Sequence, residues 1–423
     1  MPSESEPRRR PLTWLGPGLI TGASDDDPSG IATYAMAGAQ FGYAPLWLAW
    51  LTFPLMAAVQ FICAKVGLVT GRGLAGVLRE HYPRGVLYFS VVVLMVANTI
   101  NAGADIQAIA AGVNLIVPVP INALIVPIGL ALLVFQVRGS YRLIARTFRW
   151  LTLVLFAYIG SAILAHPNWT DVFRGTFIPS IRLDQTFLAM LVAVLGTTIS
   201  PYLFFWQASE EVEEEMAMGR TQLWQRKGAT RAELHYAAWD VNIGMFFSNM
   251  VMYFIILATA ATLHRTGQLR IDTAADAARA LRPLAGDASY VLMALGLIGT
   301  GLLAVPILTT SGAYAVCEAF AWQWGLDAKL RGAKHFYLVI CASTIAGLLI
   351  DFIGVKPIQA LYWTAVLNGM LAPPLLLIIL LIANNRRVMG RNVNGTPMNV
   401  LGWLTTAIMF AAAMALGLGK VLD

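Results

Sequence analysis

The stretch Ser24-Asp25-Asp26-Asp27-Pro28-Ser29-Gly30 sets three carboxylates and a proline inside an otherwise apolar segment that runs from Leu12 to about Ala39. On insertion scales an acid at the centre of a bilayer costs about 2.5–3.5 kcal/mol, so an intramembrane carboxylate marks a functional position. Three in succession require a cation or water. The segment is too long for a signal-peptide core and lacks a small-residue cleavage site, so it is expected to stay as the first membrane span.

The composition around it fits. Of 423 residues 58% are hydrophobic and only 12% charged, with a mean hydropathy of +0.67, which indicates a polytopic membrane protein rather than several soluble domains. The net charge of +6 does not indicate nucleic acid, because the basic residues are spread along the chain rather than gathered in a stripe. Cys63, Cys317 and Cys341 stand apart in apolar runs and read as small buried hydrophobes, neither a disulfide framework nor a zinc site.

Apolar segments long enough to cross a bilayer recur near 44–70, 86–117, 120–137, 147–165, 186–208, 236–263, 288–323, 335–354, 357–384 and 398–420, giving eleven spans. The tight connection at Pro118 and Pro120 separates two of them. With the N-terminus inside, 21 of the 29 Lys and Arg fall on the inner side and 8 on the outer. The positive-inside rule therefore predicts a cytoplasmic tail at residues 1–11, an external C-terminus and a plasma or inner membrane location. The outer connections 166–185 and 264–287 carry no motif. The run Glu210-Glu211-Val212-Glu213-Glu214-Glu215 after span six is expected to be a solvated helix end, with cation gathering as the sharper alternative.

Span six has its own interruption, Gly196-Thr197-Thr198-Ile199-Ser200-Pro201-Tyr202, where the missing N–H and the ring of Pro201 predict unwinding. Pro28 and Pro201 each fall about fifteen residues into their spans, near mid-bilayer. Five spans separate them, so the two helices run in opposite directions, as two inverted five-helix repeats at 12–165 and 186–384 require, with 398–420 as an addition. Unwound backbone is tolerated in a membrane only where it lines a cavity or binds something, and its carbonyl oxygens attract cations. The alternative is a pair of ordinary proline kinks.

Gly16-Pro17-Gly18 leading into Asp27-Pro28-Ser29-Gly30, then Ala37-Gly38-Ala39-Gln40-Phe41-Gly42-Tyr43 and Gly67-Leu68-Val69-Thr70-Gly71-Arg72, resemble the first two helices of the Nramp divalent-metal transporters. The resemblance implies an all-α LeuT-type fold with broken helices one and six, alternating access, and a divalent cation between the breaks. It implies Asp27 as a ligand, with Gly30 where the family motif has Asn. Ser200 and Tyr202 stand where it has Met and His, and the backbone carbonyls of Ser24 and Thr197 complete the set. The loss of the thioether leaves hard oxygen ligands, which suit Mg2+, Ca2+ and Mn2+. Room at Gly30, with Asp26 and Asp25 adding charge, suits a partly hydrated Mg2+, a pattern similar to the Nramp-related magnesium transporter branch. Adjacent helical residues point about a hundred degrees apart, so one acid, Asp27, is expected to touch the ion while its neighbours hold water.

In the family's proton relay Ala102 takes the place of an Asp and Asp105 that of a Glu, and Tyr202 is a poor proton carrier, so uptake uncoupled from protons is expected. Asn98, Asn101 and Asp105 share one helical face toward the cavity, with interhelical bonding as the alternative. Asp240 reads as a gate or anchor in span seven and Asn368 as a pathway residue or helix glue in span ten. None of the five histidines falls at mid-membrane, and no nucleophile or phosphate loop suggests an enzyme. The expected function is alternating-access import of Mg2+, with Mn2+ as a second substrate, divalent ions and lipid as the only partners, and no cofactor. The alternatives are proton-coupled Mn2+/Fe2+ uptake, a sodium-coupled organic-solute symporter and an ion channel.

Overall fold

In the computed structural model the described residues are 16–138, 153–326, 328, 330–351 and 354–422, and among them there is no strand. Eight helices are long and apolar enough to cross a membrane: Trp47–Thr70, Arg84–Ile116, Ile121–Arg138, Gln185–Ala217, Arg231–His264, Ala274–Phe320, Pro357–Asn384 and Thr396–Leu418. Two shorter apolar helices, Val154–Leu164 and Lys334–Ile350, and the half-helices Pro17–Asp25 and Pro28–Phe41 complete eleven spans in the expected order. The N-terminal tail, the first residues of span one and the start of span five lie outside the described residues.

Both expected breaks are present, and the prolines sit at their edges. Neither kinks a running helix. Asp26 and Asp27 leave helical geometry at φ −83°, ψ 50° and φ −66°, ψ 170°, and Pro28 is the first residue of a new helix. Span six repeats the pattern: Ile199 (φ −114°, ψ 60°) and Ser200 (φ −79°, ψ 132°) form the gap, and Pro201 starts the second half. At a first helical position the missing N–H has no partner to lose and the fixed φ is already helical. Pro54, Pro127 and Pro306, in contrast, sit inside continuous helices.

Burial separates centre from rim. In span six 89% of the apolar window is buried, and in span two 83%, against 28% in span four and 33% in span eleven, which leaves the last two facing lipid. Span one lies against span seven so closely that a Cβ on Gly22 would meet the backbone of Gly244, and one on Gly18 the backbone of Val241. Small residues at such crossings let backbones approach. Spans three and nine cross the same way at Gly103 and Gly347.

The glutamate run is not a solvated helix end. Glu211 and Glu215 are buried, and Glu210 nearly so. Glu213 Oε1 accepts from Leu326 N (2.7 Å) and Tyr314 Oη (3.0 Å), and Glu215 pairs with Arg220 at 2.8 Å. These carboxylates tie the end of span six to the loops around it. In the loop after span six Arg226 donates to the carbonyls of Arg220 and Thr221, both at 2.8 Å, and burial lowers its pKa from the ordinary arginine value.

Gly103→Val drives a branched side chain into the Gly347 carbonyl. Overpacking of this kind costs about 1–3 kcal/mol, and a lowered thermal unfolding midpoint of the detergent-solubilised protein is expected; an unchanged midpoint would contradict the crossing.

Candidate cation site between the broken helices

The site is built where the two gaps face each other. Asp27 is the N-cap of the second half of span one: its Oδ1 accepts from Gly30 N at 2.8 Å and from Ser29 Oγ at 2.6 Å. Its Oδ2 accepts from Asn101 Nδ2 of span three at 3.2 Å. Ser29 Oγ lies 3.2 Å from Thr197 Oγ1, joining the gap of span one to that of span six. Tyr202 Oη donates to the Ser24 carbonyl at 2.8 Å, and Ser311 Oγ of span eight donates to the Tyr202 carbonyl at 2.7 Å. Asp27, Thr197, Ser200, Tyr202 and Asn101 are all at most 1% exposed, so the arrangement is closed to solvent.

Asp27 is turned apart from the other two acids, which share one partner. Asp25 Oδ2 accepts from Ser248 Oγ of span seven at 2.6 Å, and Asp26 Oδ1 lies 3.4 Å from the same hydroxyl. One O–H cannot serve both fully, and Asp25 Oδ1 is buried without a partner. Among the described residues no Lys, Arg or His pairs with any of the three, and no group of three or more His, Cys, Asp or Glu is placed to hold a metal.

Several expected positions are corrected. The carbonyls of Ser24 and Thr197 are engaged within the protein, the first by Tyr202 and the second by Ser200 Oγ at 2.7 Å. Thr197 presents its hydroxyl to the gap instead. Ser200 also donates to the Gly196 carbonyl at 3.0 Å, so its side chain turns back on its own helix. Gly30 does not open free space: a Cβ there would stand 3.3 Å from Tyr34 Cε2 and 3.4 Å from both the Asp25 carbonyl and Thr197 Oγ1. Asn98 donates to Leu308 O of span eight at 2.8 Å, which is interhelical bonding, while Asn101 alone reaches Asp27.

Asp105 is fully buried and shares the electrostatic surroundings of Tyr202. Asp240 lies away from the gap and anchors the start of span one, accepting from Gly18 N at 2.6 Å. Asn368 is buried in span ten, with its amide nitrogen unpartnered among the described residues.

Sequence reasoning missed Ser29, Ser248, Ser311 and Tyr34. Ser29 was findable, because Asp-Pro-Ser-Gly is an N-cap followed by a proline at the first helical position. The others carry no local signal.

A family model described as natural resistance-associated macrophage protein-like matches residues 18–419. The chain belongs to the Nramp family. That makes it a membrane transporter and not an enzyme. An Eremococcus coleocola manganese transporter, solved in complex with an aromatic bis-isothiourea substituted compound, is similar at 19% identity and a TM-score of 0.71, over 95% of this chain and 84% of that one. Mhp1, a nucleobase-cation-symport-1 family transporter solved closed with bromovinylhydantoin bound, is similar at 14% identity and a TM-score of 0.57, over 96% of this chain and 93% of that one. At these identities the likeness is one of fold. This Nramp chain has the LeuT-type fold, two inverted five-helix repeats with helices one and six broken and an eleventh helix added.

Tyr202→Phe strips the Ser24 carbonyl of its donor. A buried acceptor left unsatisfied costs about 1–3 kcal/mol, so the unfolding midpoint should fall; a midpoint equal to wild type would show that the bond is not formed.

Proposed function

We propose that this Nramp-family divalent-metal transporter imports Mg2+ by alternating access, with Mn2+ as a second substrate and without a coupled proton. The observation that carries the reading is the donor set at the gap. Asp27 is the one carboxylate facing Asn101, and the hydroxyls of Ser29 and Thr197 and the Asp25 carbonyl stand beside it. All of these offer hard oxygen, as does Asn101 through its Oδ1, and Ser200 offers no soft atom. Carboxylate, carbonyl and water ligands suit Mg2+ and Mn2+, whereas thioether and thiolate select softer ions. Mg2+ keeps several of its waters and is bound through one or two carboxylates, which fits one inner carboxylate with Asp25 and Asp26 acting through water.

The same geometry supports the absence of proton coupling. Tyr202, where the family motif has a histidine, commits its proton to the Ser24 carbonyl, and a phenol of ordinary pKa near 10 does not release a proton at neutral pH. Ala102, which takes the place of an Asp in the family's relay, carries nothing to relay. The reading includes a cytoplasmic N-terminus in a plasma or inner membrane, from the distribution of Lys and Arg.

Two measurements test it in proteoliposomes. Wild-type protein should accumulate Mg2+, and Asp27→Ala should reduce uptake to that of protein-free vesicles; uptake equal to wild type would remove Asp27 from the site. Lumenal pH recorded during Mg2+ uptake should stay constant, and acidification that depends on Mg2+ would instead favour proton-coupled Mn2+/Fe2+ transport.

A further inference from the structure

Tyr34 enters the site described above only through its ring edge over Gly30, and it is fully buried there. It follows Gly30 by four residues in the second half of span one, and residues at that spacing share a helical face. The edge of its ring, at Cε2, lies 3.3 Å from the point where a Cβ on Gly30 would stand, and the Asp25 carbonyl and Thr197 Oγ1 lie 3.4 Å from that same point. A phenol, a carbonyl and a hydroxyl therefore converge over Gly30, one helical turn from Asp27.

The Tyr34 hydroxyl has no hydrogen-bond partner among the described residues. The Thr197 hydroxyl is its nearest polar neighbour across the gap. Burying a hydroxyl unpaired is unfavourable, and a tyrosine buried in a membrane protein ordinarily finds an acceptor or donor. The phenol also lies within electrostatic reach of Asp25, Asp26 and Asp27. A buried O–H without a partner in reach of three carboxylates is a group that a polar occupant would satisfy.

We propose that Tyr34 is a specificity-determining residue of the cation site, its phenolic oxygen holding a water of the ion's hydration shell beside Gly30. This rests on the Mg2+ reading and extends it. Water bound to a divalent cation donates both its hydrogens, and a neutral phenol accepts one while donating its own hydrogen to a nearby carbonyl or carboxylate. Because Mg2+ gives up water reluctantly, a site that selects it must recognise the waters as well as the ion. Gly30 and Tyr34 then form a matched pair: a Cβ at position 30 would stand 3.3 Å from the ring edge, so the ring would have to shift slightly, and the hydroxyl with it.

Tyr34→Phe keeps the ring and deletes the oxygen. Groups that hold a metal's ligands from behind are worth about 10–100-fold in metal affinity. In proteoliposomes the Mg2+ KM of Tyr34→Phe should rise about tenfold with kcat little changed, and the Mn2+ KM should rise less, so that preference for Mg2+ over Mn2+ falls. Gly30→Ala should shift the preference in the same direction, and the double variant should be no worse than the poorer single one, since both act through one oxygen. A Tyr34→Phe protein of normal thermal midpoint with wild-type KM for both ions overturns the assignment and makes Tyr34 a packing residue. Wild-type vesicles that take up Mn2+ but not Mg2+ would overturn the Mg2+ reading instead. In that case the Tyr34 assignment is decided on Mn2+ alone, an unchanged Mn2+ KM in Tyr34→Phe rejecting it and a raised one supporting it.

Discussion

Asp27 uses its two carboxylate oxygens in two directions, and the rest of the interior follows from that division. Oδ1 closes the gap in span one by capping the helix that begins at Pro28, while Oδ2 meets Asn101 across the interior. A helix cannot be broken in a bilayer without satisfying the freed backbone groups, so the residue that makes the break tolerable is also the one that faces the cavity. Span six solves the same problem differently. Ser200 occupies the equivalent cap position, but its hydroxyl turns to the carbonyls before it and the helix start at Pro201 has no side-chain cap. Negative charge is thus concentrated on span one, while the uncapped start of a helix, which carries partial positive charge, faces it from span six. A cation between the two is drawn toward Asp27.

What the sequence could disclose depended on how local the cause was. Both breaks were legible, because a proline and a polar cluster within an apolar run act on the chain immediately around them. The eleven spans and their order were legible for the same reason. The destinations of the polar side chains were not. Asp25 finds its partner in Ser248, 223 residues later, and Tyr202 finds the Ser24 carbonyl 178 residues earlier. No spacing rule within one helix anticipates such pairs. The stripe Asn98, Asn101 and Asp105 was correctly placed on one face, yet that face is shared between span eight and the gap, so Asn98 and Asn101 met different partners. The glutamate run misled for a related reason: charge suggests solvent, but Tyr314, Leu326 N and Arg220 supply enough donors to keep most of it inside.

Gly30 shows the same limit at the scale of a single atom. A glycine in a binding motif suggests room, and the deletion of a side chain does remove a ligand. The volume is nonetheless taken up by neighbours that no glycine specifies: a tyrosine ring one turn on, the carbonyl of Asp25 and the hydroxyl of Thr197. Interiors are packed to a density that leaves few unfilled gaps, so a missing side chain usually reappears as someone else's contact. The chemical question is then what the replacement atoms can bind, and here they are oxygens again.

Span one is held in place at three levels, which bears on how the acids act. Asp240 fixes its start, the Gly22 and Gly244 crossing brings its backbone against span seven, and Ser248 takes up Asp25 just before the gap. These contacts point Asp25 and Asp26 toward span seven and leave Asp27 to face span three. Two of the three carboxylates are therefore turned away from the Asn101 side of the gap, and the single hydroxyl between them cannot donate fully to both. Any negative charge on them reaches Asp27 as a field, without direct contact at the gap. In a medium of low dielectric such a field is strong and falls as the inverse of distance, so it still acts on an ion through an intervening layer of water, though less than at contact. An ion that sheds its waters easily gains little from that arrangement over an ordinary carboxylate site. One that keeps them gains attraction without having to be stripped, which is how the placement of the three acids supports the proposed partly hydrated ion.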